Sequence, residues 1–518
     1  AEGPGEGGRE AHPEGGKYAV YPGNNFEALM IPFVDGAFKL DGKTGSAAEV
    51  MTSYTIAWSE DGEYGELVGS GFSEYKVTEL LRNRFGFQGA ACTDWSVLND
   101  VDLTGVTSYR CWGVEDPDEW NPAKRASLAV SVGVDQMGGC NDPQLLVSAY
   151  EDMVAEVGEE EAMESFRASA KRLLLGYFNT GIFEDPYVDV DVARADIDKG
   201  NEESIAAALA AQVKGIVMLK NSDGVIRQGS EGAKPKVYVP MRYTQAYRES
   251  GTMDRAPWVE NPATCELPLP IGTLEKYFDV MTDTLAETLT GAADAEGNPT
   301  PSEADLTRLT AADIADCEAV IVVAAAPYNA SARAARDENL EYVPLSVQYR
   351  PYADNEYVRQ TSLAGDLLED GTRENRSYYG RTSMVVNERQ LDQILEAAAV
   401  AHEAGKPCIV ILDIMQPMCV HEFEPEVDAI LVSMSGSTEA ACRIVAGLDE
   451  PSGLLPMQMP KDMLDVEKQL EDVPRDMECY TDADGNTYDF GFGLNWSGPI
   501  SDERTEKYCV DPLTAPEA

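Results

Sequence analysis

The residues Gly86–Asp94 constrain this chain more than any other stretch, because they read GFQGAACTD and run directly into Trp95. A glycine turn leads into a run of small residues, which suits a short strand that is buried on both faces. In parallel α/β barrels the chemistry lies at the carboxyl ends of the strands. We therefore predict that Asp94 is a catalytic carboxylate and that Trp95 presents an apolar ring beside it.

Each candidate side chain also has a purely structural interpretation. An Asp that follows a strand often caps the next helix, and a Trp in its position also suits core packing. Tyr54 closes a second strand-like run, AEVMTSY, where its hydroxyl either lies satisfied in the core or belongs to the site. His12 stands in a glycine-rich loop, where it either faces solvent or binds a ligand. The residues alone leave these alternatives open.

The chain alternates helical and strand-like segments, which predicts an α/β fold. In residues 26–187 a helix followed by a short buried strand recurs about three times, and this order favours parallel strands. A linker is expected at 187–200. Beyond it, helices separate apolar runs that are typical of a parallel sheet, namely KVYVP, AVIVVAAA, PCIVILDI and DAILVSMS.

Two further features concern domains and ligand loops. A chain of 518 residues is too long for one ordinary core, so we expect at least two domains. The irregular insertion 329–386 directly follows a central strand. Because ligand-binding loops of open α/β sheets leave from the carboxyl ends of strands, we expect this insertion to contribute to the site.

Composition excludes several classes of function. The formal net charge of −51 repels nucleic acid, and no apolar run is long enough to cross a membrane. The ten cysteines occur singly, which favours free thiols and a cytoplasmic location, with export as the alternative. With three histidines and no metal-ligand spacing, we predict no metal or other cofactor.

Several motifs follow one another along the chain: GFQGAACTDW, GVDQMGG, KRLLLGYFNTGIFEDPYVD, IVMLKNSDGVI, PSGLLPMQMP and YDFGFGLNW. Their ordered combination resembles glycoside hydrolase family 3, which includes many β-glucosidases. The resemblance implies a partial (β/α)8-type barrel in residues 1–190, followed by an α/β sandwich domain in 191–500. The sandwich would have an open, mostly parallel sheet and carry the insertion, and residues 501–518 would form a tail.

The resemblance also implies roles for particular residues. Asp94 matches the nucleophile of a retaining mechanism, Tyr54 matches the residue beside it, and Trp95 matches the sugar platform. Because the nucleophile must stay ionised, hydrogen-bond donors such as the Tyr54 hydroxyl are expected around it. The other predicted substrate-binding residues are Arg9, His12 and Met51.

The acid/base carboxylate of the family comes from a variable loop of the second domain, which corresponds here to the insertion. We place it at Glu374 first, with Asp366 and Glu369 as alternatives. The structural interpretation of Glu374 is a surface salt bridge to Arg373 or Arg376.

The chain also departs from the family pattern. The family's barrel loop reads Lys-His-Phe-Pro-Gly, whereas this chain opens with AEGPG, so the Lys and His that hold sugar hydroxyls have no equivalents. A complete barrel needs roughly 250 residues, and only about 190 precede the end of the expected barrel part. We therefore expect a fragment, a barrel completed by another polypeptide, or a degenerate domain.

The favoured function is a retaining exo-β-glycosidase of β-glucosidase or β-xylosidase type that acts through a covalent glycosyl-Asp intermediate. The alternative is a non-catalytic or truncated homologue that binds glycan or a partner subunit, and a third is phosphorolysis on the same scaffold. The expected partners are a carbohydrate substrate, a second polypeptide or missing N-terminal segment that completes the barrel, and a second copy in a homo-oligomer. Neither nucleic acid nor a membrane is expected as a partner.

Overall fold

The computed structural model describes residues 3–99, 111–249, 258–329, 335–353, 357–383, 385–434 and 438–516. Up to residue 215, short strands come first and helices follow. The strands are β1 Tyr18–Ala19, β2 Glu49–Met51, β3 Ile56–Ala57 and β4 Ala90–Cys92. The α-helices are α1 Pro122–Ser131, α2 Pro143–Val157, α3 Glu159–Thr180 and α4 Val190–Gly215. Wider π-helical turns occupy Pro32–Ala37 and Tyr75–Arg84.

The strands of this N-terminal region are parallel. Residues 49–57 form one kinked strand, whose first part pairs with β4 and whose last part pairs with β1. A parallel bridge from Cys92 to Gln136 continues the order on the other side of β4. The parallel strand positions therefore follow one another in space as 18–19, 49–57, 90–92 and 136.

A buried carboxylate ties the helices of this region to its strands. The Asp135 side chain is inaccessible to solvent and lies 2.7 Å from Arg82 Nη2 and 2.8 Å from Arg172 Nη1. Its Oδ2 also accepts a hydrogen bond from the Ala91 amide at 2.8 Å. Since Arg82 belongs to the Tyr75–Arg84 helix and Arg172 to α3, one side chain joins β4 to two helices.

From residue 217 onward the chain forms a second region. Its strands are β5 Val217–Asn221, β6 Lys236–Tyr238, β7 Arg242–Thr244, β8 Tyr247–Glu249, β9 Val259–Asn261, β10 Thr264–Glu266, β11 Asp279–Met281, β12 Thr284–Leu285, β13 Leu306–Thr307, β14 Ala319–Ala325, β15 Tyr352–Ala353, β16 Thr382–Ser383, β17 Cys408–Ile414, β18 Ala429–Met434, β19 Leu494–Asn495 and β20 Gly498–Pro499. Its α-helices are α5 Ile271–Leu274, α6 Arg389–Glu403, α7 Thr438–Val445, α8 Met463–Lys468 and α9 Glu503–Tyr508.

An eight-stranded sheet organises this second region, in the order β11-β6-β14-β17-β18-β5-β19-β20. The neighbours from β11 to β18 are parallel, and β5, β19 and β20 continue the sheet antiparallel. Successive residues of the central strands face opposite layers, as strand geometry requires. Thus Val410 and Leu412 pack in the layer that contains α6, whereas Ile409 and Ile411 pack in the layer that contains α7.

The predicted α/β fold with a large, mostly parallel sheet is confirmed. The expected linker at 187–200 is wrong for most of its length, because α4 begins at Val190. Asp189 Oδ1 accepts hydrogen bonds from the amides of Asp191 and Val192, both at 3.0 Å. This N-cap and the alanine-rich run at 206–211 stabilise a helix through a sequence that is too polar to suggest one.

Candidate active site

Asp94 stands two residues beyond the end of β4, with its side chain almost fully buried at 8% exposure. Its Oδ1 accepts a hydrogen bond from the Trp95 amide at 2.6 Å. Residues 95–98 form a turn, and residues 95–99 contain no helix that Asp94 could cap. The Thr93 hydroxyl accepts a hydrogen bond from the Gly138 amide at 2.8 Å, which fixes this strand end to its neighbour.

The Trp95 side chain is 54% exposed and lies against the backbone of Gly138 and Gly139. A Cβ at Gly139 would come within 2.5 Å of Trp95 Cδ1, so only glycine leaves room for the indole. Gly139 also has a positive φ of 67°, which favours glycine. The Gly-Gly pair of the GVDQMGG motif thus fits the ring of the CTDW motif.

Tyr54 is fully buried beneath the same strand end. Its hydroxyl donates to the Trp95 carbonyl at 2.7 Å, so its proton goes to the backbone beside Asp94 rather than to the carboxylate. The His12 ring meets the Tyr54 ring edge-on, with 5.1 Å between centroids, and His12 Nδ1 contacts the Glu10 carboxylate. The structure therefore brings His12, Tyr54 and Trp95 together around one strand end.

Met51 ends β2 directly beside Cys92, and its side chain is half exposed. Arg9 lies elsewhere and is buried against the insertion. Its guanidinium donates to the Arg376 carbonyl and lies 4.3 Å above the centre of the Tyr342 ring. Burial lowers the pKa of Arg9, although nearby anionic and phenolic groups oppose this.

Asp366 begins a hairpin of the insertion and meets the N-terminal region through its carboxylate. Asp366 Oδ1 lies 2.7 Å from Lys17 Nζ and accepts a hydrogen bond from the Tyr18 hydroxyl at 2.5 Å. Arg376 Nη2 lies 3.2 Å from its other oxygen. Burial by itself raises the pKa of Asp366, but the positive charge of Lys17 and these hydrogen bonds together hold it below its ordinary value.

Glu374 ends the same hairpin, and Arg376 Nε donates to it at 2.7 Å. The Tyr342 hydroxyl lies 3.4 Å and Arg336 Nη2 lies 3.6 Å from Glu374 Oε1. Burial alone would lower the pKa of Arg376, but Tyr342 and the two carboxylates raise it above its ordinary value. Glu369 is exposed near the hairpin tip. We call Lys17, Arg336, Asp366, Glu374 and Arg376 the Arg376 cluster.

A cleft of about 1030 Å³ opens beside the Arg376 cluster. Arg9 and Arg376 lie on its wall, whereas Asp94 and Trp95 are not among the described residues that line it. The wall also includes three tyrosines, Tyr328, Tyr357 and Tyr378. The cleft therefore borders the charged residues of the insertion rather than the carboxylate after β4.

Sequence reasoning missed the buried Lys17 and its partners. Lys17 is 4% exposed, and its Nζ lies 2.5 Å from Glu115 as well as 2.7 Å from Asp366. The one available signal was a lysine placed directly before the apolar run YAVY, since a charge at such a position has to find a partner when it is buried. Tyr342 and Arg336 gave no comparable signal.

The described residues contain no group of three or more His, Cys, Asp or Glu side chains placed to hold a metal ion. Among the helices that the structure describes, none is long and apolar enough to span a membrane. All ten cysteines are free thiols.

Comparison with known proteins adds a family and several relatives. A model of the glycosyl hydrolase family 3 C-terminal domain matches residues 136–496. "Probable beta-glucosidase C" of Aspergillus flavus is 25% identical over 500 residues, which cover 96% of this chain and 59% of that protein. "Periplasmic beta-glucosidase/beta-xylosidase" of Dickeya chrysanthemi is 34% identical over 238 residues, covering 43% of this chain and 34% of that protein.

Solved structures share the fold. A β-glucosidase from Listeria innocua in complex with glucose aligns with a TM-score of 0.54 at 16% identity, over 95% of this chain and 57% of that one. A β-glucosidase from Erythrobacter marinus aligns with a TM-score of 0.52 at 18% identity, over 94% and 57%. The chain thus spans a little more than half the length of these relatives. Because the family model matches well over half of its residues, the chain belongs to glycosyl hydrolase family 3.

Proposed function

We propose that this chain carries the nucleophile of a retaining exo-β-glycosidase of β-glucosidase or β-xylosidase type. The observation that supports this most is Asp94, a buried carboxylate just past the end of a parallel strand, with the exposed Trp95 ring next to it. Relatives named as β-glucosidases and a β-xylosidase support the class of substrate. In this proposal a terminal β-linked pyranose stacks on Trp95, whose flat apolar face suits a sugar ring.

Retaining hydrolysis proceeds in two steps. A carboxylate attacks the anomeric carbon and forms a covalent glycosyl ester, while a second carboxyl about 5 to 5.5 Å away donates a proton to the leaving oxygen. Water then displaces the ester with the second group acting as base. Asp94 is the attacking carboxylate here, and the Trp95 amide that donates to it favours its ionised form. Tyr54 acts as a positioning residue, because it holds the Trp95 carbonyl.

Glu374 remains our proposal for the acid/base. A general acid must hold its proton near the working pH, and the lowered pKa of Asp366 makes that residue the weaker choice. Glu369 is exposed near the hairpin tip, where a proton donor would face water. Glu374 is more enclosed, with its side chain 26% exposed, but it is paired with Arg376. The role therefore requires that substrate binding loosen this ion pair.

The remaining predicted residues have different expected roles. Arg9 is engaged with the Arg376 carbonyl and the Tyr342 ring, so we propose that it holds the insertion in place. His12 and Met51 stay candidates for contact with the sugar, because both lie next to strand ends near Asp94.

We also propose that residues 1–190 form part of a (β/α)8-type barrel. The parallel order of β1, β3, β2 and β4, with helices α1 to α3 after them, supports this. Residues 191–500 would be the α/β sandwich domain with its site insertion 329–386, and 501–518 the tail.

The nucleophile is tested with Asp94→Asn, which keeps the shape of the side chain and removes its charge. Turnover of an aryl β-glucoside should fall by a factor on the order of 10⁴. Asp118→Asn, the same change at an exposed position, should leave turnover unchanged. If Asp94→Asn turns over at the rate of Asp118→Asn, Asp94 is not the nucleophile. Sugar binding without turnover in the unmodified protein would favour a non-catalytic homologue.

The acid/base is tested with Glu374→Gln on two leaving groups. An alkyl glycoside needs a proton on its leaving oxygen, whereas a dinitrophenyl glycoside does not, so only the first should lose about 10²-fold or more in kcat. Asp366→Asn is the matched control on the same hairpin. A larger selective loss in Asp366→Asn would move the role to Asp366.

A further inference from the structure

The segment from the second half of α3 into α4 leaves large apolar side chains in water. Tyr187 is 85% exposed, Val188 76%, Ile197 70% and Val190 62%. Phe178 stacks on Phe183 with 4.4 Å between ring centroids, and both are still more than half exposed. The other exposed members are Leu174, Leu175, Tyr177, Ile182, Val192 and Ile205. We call this surface the 174–205 face.

Soluble proteins rarely leave this much neighbouring apolar surface uncovered unless something binds there. The large sheet shows the contrast within the same molecule, because its central strands are covered by helices on both sides. The 174–205 face is therefore a surface that expects an occupant.

Its position indicates what the occupant is. Helix α3 is tied to the parallel strands through Arg172 and Asp135, whose side chains are 2.8 Å apart. The apolar residues begin at Leu174, immediately beyond that ion pair. An occupant of the 174–205 face would therefore lie alongside the N-terminal strands.

Those strands are fewer than a closed barrel requires. A (β/α)8 barrel has eight parallel strands, each followed by a helix. In the described residues, the parallel order runs from β1 to Gln136 without returning to β1. The aligned Listeria innocua β-glucosidase contains further chain, since only 57% of it is matched by 95% of this one.

We propose that the 174–205 face is the docking surface for a polypeptide segment that supplies the other β/α units of the barrel. Its apolar side chains would become the contact between α3, α4 and those units. The assignment rests on the barrel proposed above but not on any catalytic activity.

The charges around the face argue against a second copy of this chain. Between residues 189 and 198 the acidic side chains Asp189, Asp191, Asp196 and Asp198 accompany a single basic one, Arg194. A two-fold dimer through this face would place like charges against one another. The same charges would repel an anionic lipid surface.

The test uses a photo-reactive side chain at the face. Tyr187→p-benzoylphenylalanine is introduced into the protein as its own cells produce it, which is tolerable because Tyr187 is 85% exposed. After irradiation, the cross-linked peptides are sequenced. We expect a partner peptide from a β/α segment outside these 518 residues. Cross-linking to a second 174–205 face, to an unrelated protein, or to nothing would overturn the proposal.

Two controls keep the result specific. Tyr508→p-benzoylphenylalanine places the same group on α9, where Tyr508 is 54% exposed, and should not yield the same cross-link. Adding Ile197→Glu should abolish the Tyr187 cross-link without changing the Tm of the 518-residue chain by itself. If Ile197→Glu lowers that Tm, the face is part of the chain's own core and the proposal fails.

Discussion

The two regions of the molecule are stabilised by different means. In the large sheet, β14 and β17 have seven residues each, and their side chains alternate between two apolar layers. In the N-terminal region, β1 to β4 have two or three residues each. These short strands depend on buried polar ties, such as Asp135 with its two arginines. The lesson is that the region with the candidate nucleophile is also the one that point changes in charge should weaken most.

The largest effects should separate the two regions. Asp135→Asn leaves Arg82 and Arg172 without their buried carboxylate and should lower the free energy of unfolding of the N-terminal region by about 3 kcal/mol. Its transition in a calorimetric scan should move down, while that of the large sheet stays in place.

The matched change in the other region is Ile411→Ala, at a side chain with no exposure in the middle of β17. Removing these buried methyl groups should cost about 3 to 4 kcal/mol in the transition of the large sheet. If both variants shift a single common transition by similar amounts, the two regions unfold as one unit and the contrast is wrong.

A pH-dependent effect should come next. Burial lowers the pKa of Lys76 to about 7, and its Nζ donates to the Ser70 hydroxyl at 2.9 Å. Between pH 7 and the ordinary lysine pKa, the unfolded chain binds more protons than the folded one, so folding becomes more favourable as the pH rises. We expect the N-terminal transition to gain up to about 1.4 kcal/mol per pH unit from pH 7 to 9.

Lys76→Met is the control, because it should flatten this rise and raise the free energy of unfolding at pH 7. The transition of the large sheet should not respond to this change. A pH profile that is unaltered by Lys76→Met would mean that another group causes the dependence.

The smallest effect concerns the platform next to Asp94. Gly139→Ala puts a Cβ within 2.5 Å of the Trp95 ring at a residue with positive φ, so it should cost about 1 to 2 kcal/mol of stability. Displacing the ring should raise KM more than it lowers kcat. Gly176→Ala on α3, where the added Cβ meets nothing within 4 Å, is the matched control.

The sequence predicted the large sheet well because its strands carry a strong local signal. Long β-branched runs such as AVIVVAAA and PCIVILDI became β14 and β17. The linker was wrong because one N-cap, Asp189, starts a helix in a polar stretch. SVGVDQMGG, which was expected to be a strand, contributes a single bridge at Gln136, because its neighbouring Asp135 is used to bind arginines.

The candidate site was predictable only in part. Asp94 and Trp95 stand next to each other in one motif, so a local pattern reveals them. Lys17 and Asp366 meet across 349 positions of sequence, and no local pattern encodes such a pairing. Whether Tyr54 donates to Asp94 or to the backbone was likewise a matter of ångströms that only the structure resolves.

The central claim is that Asp94 forms the covalent bond to the sugar. Its most direct test is incubation with a 2-fluoro glycoside that traps the intermediate, followed by digestion and sequencing of the labelled peptide. We predict that the label lies on Asp94, within the peptide that contains GAACTDW. A label on any other residue, such as Glu374 or Asp366, would contradict the assignment.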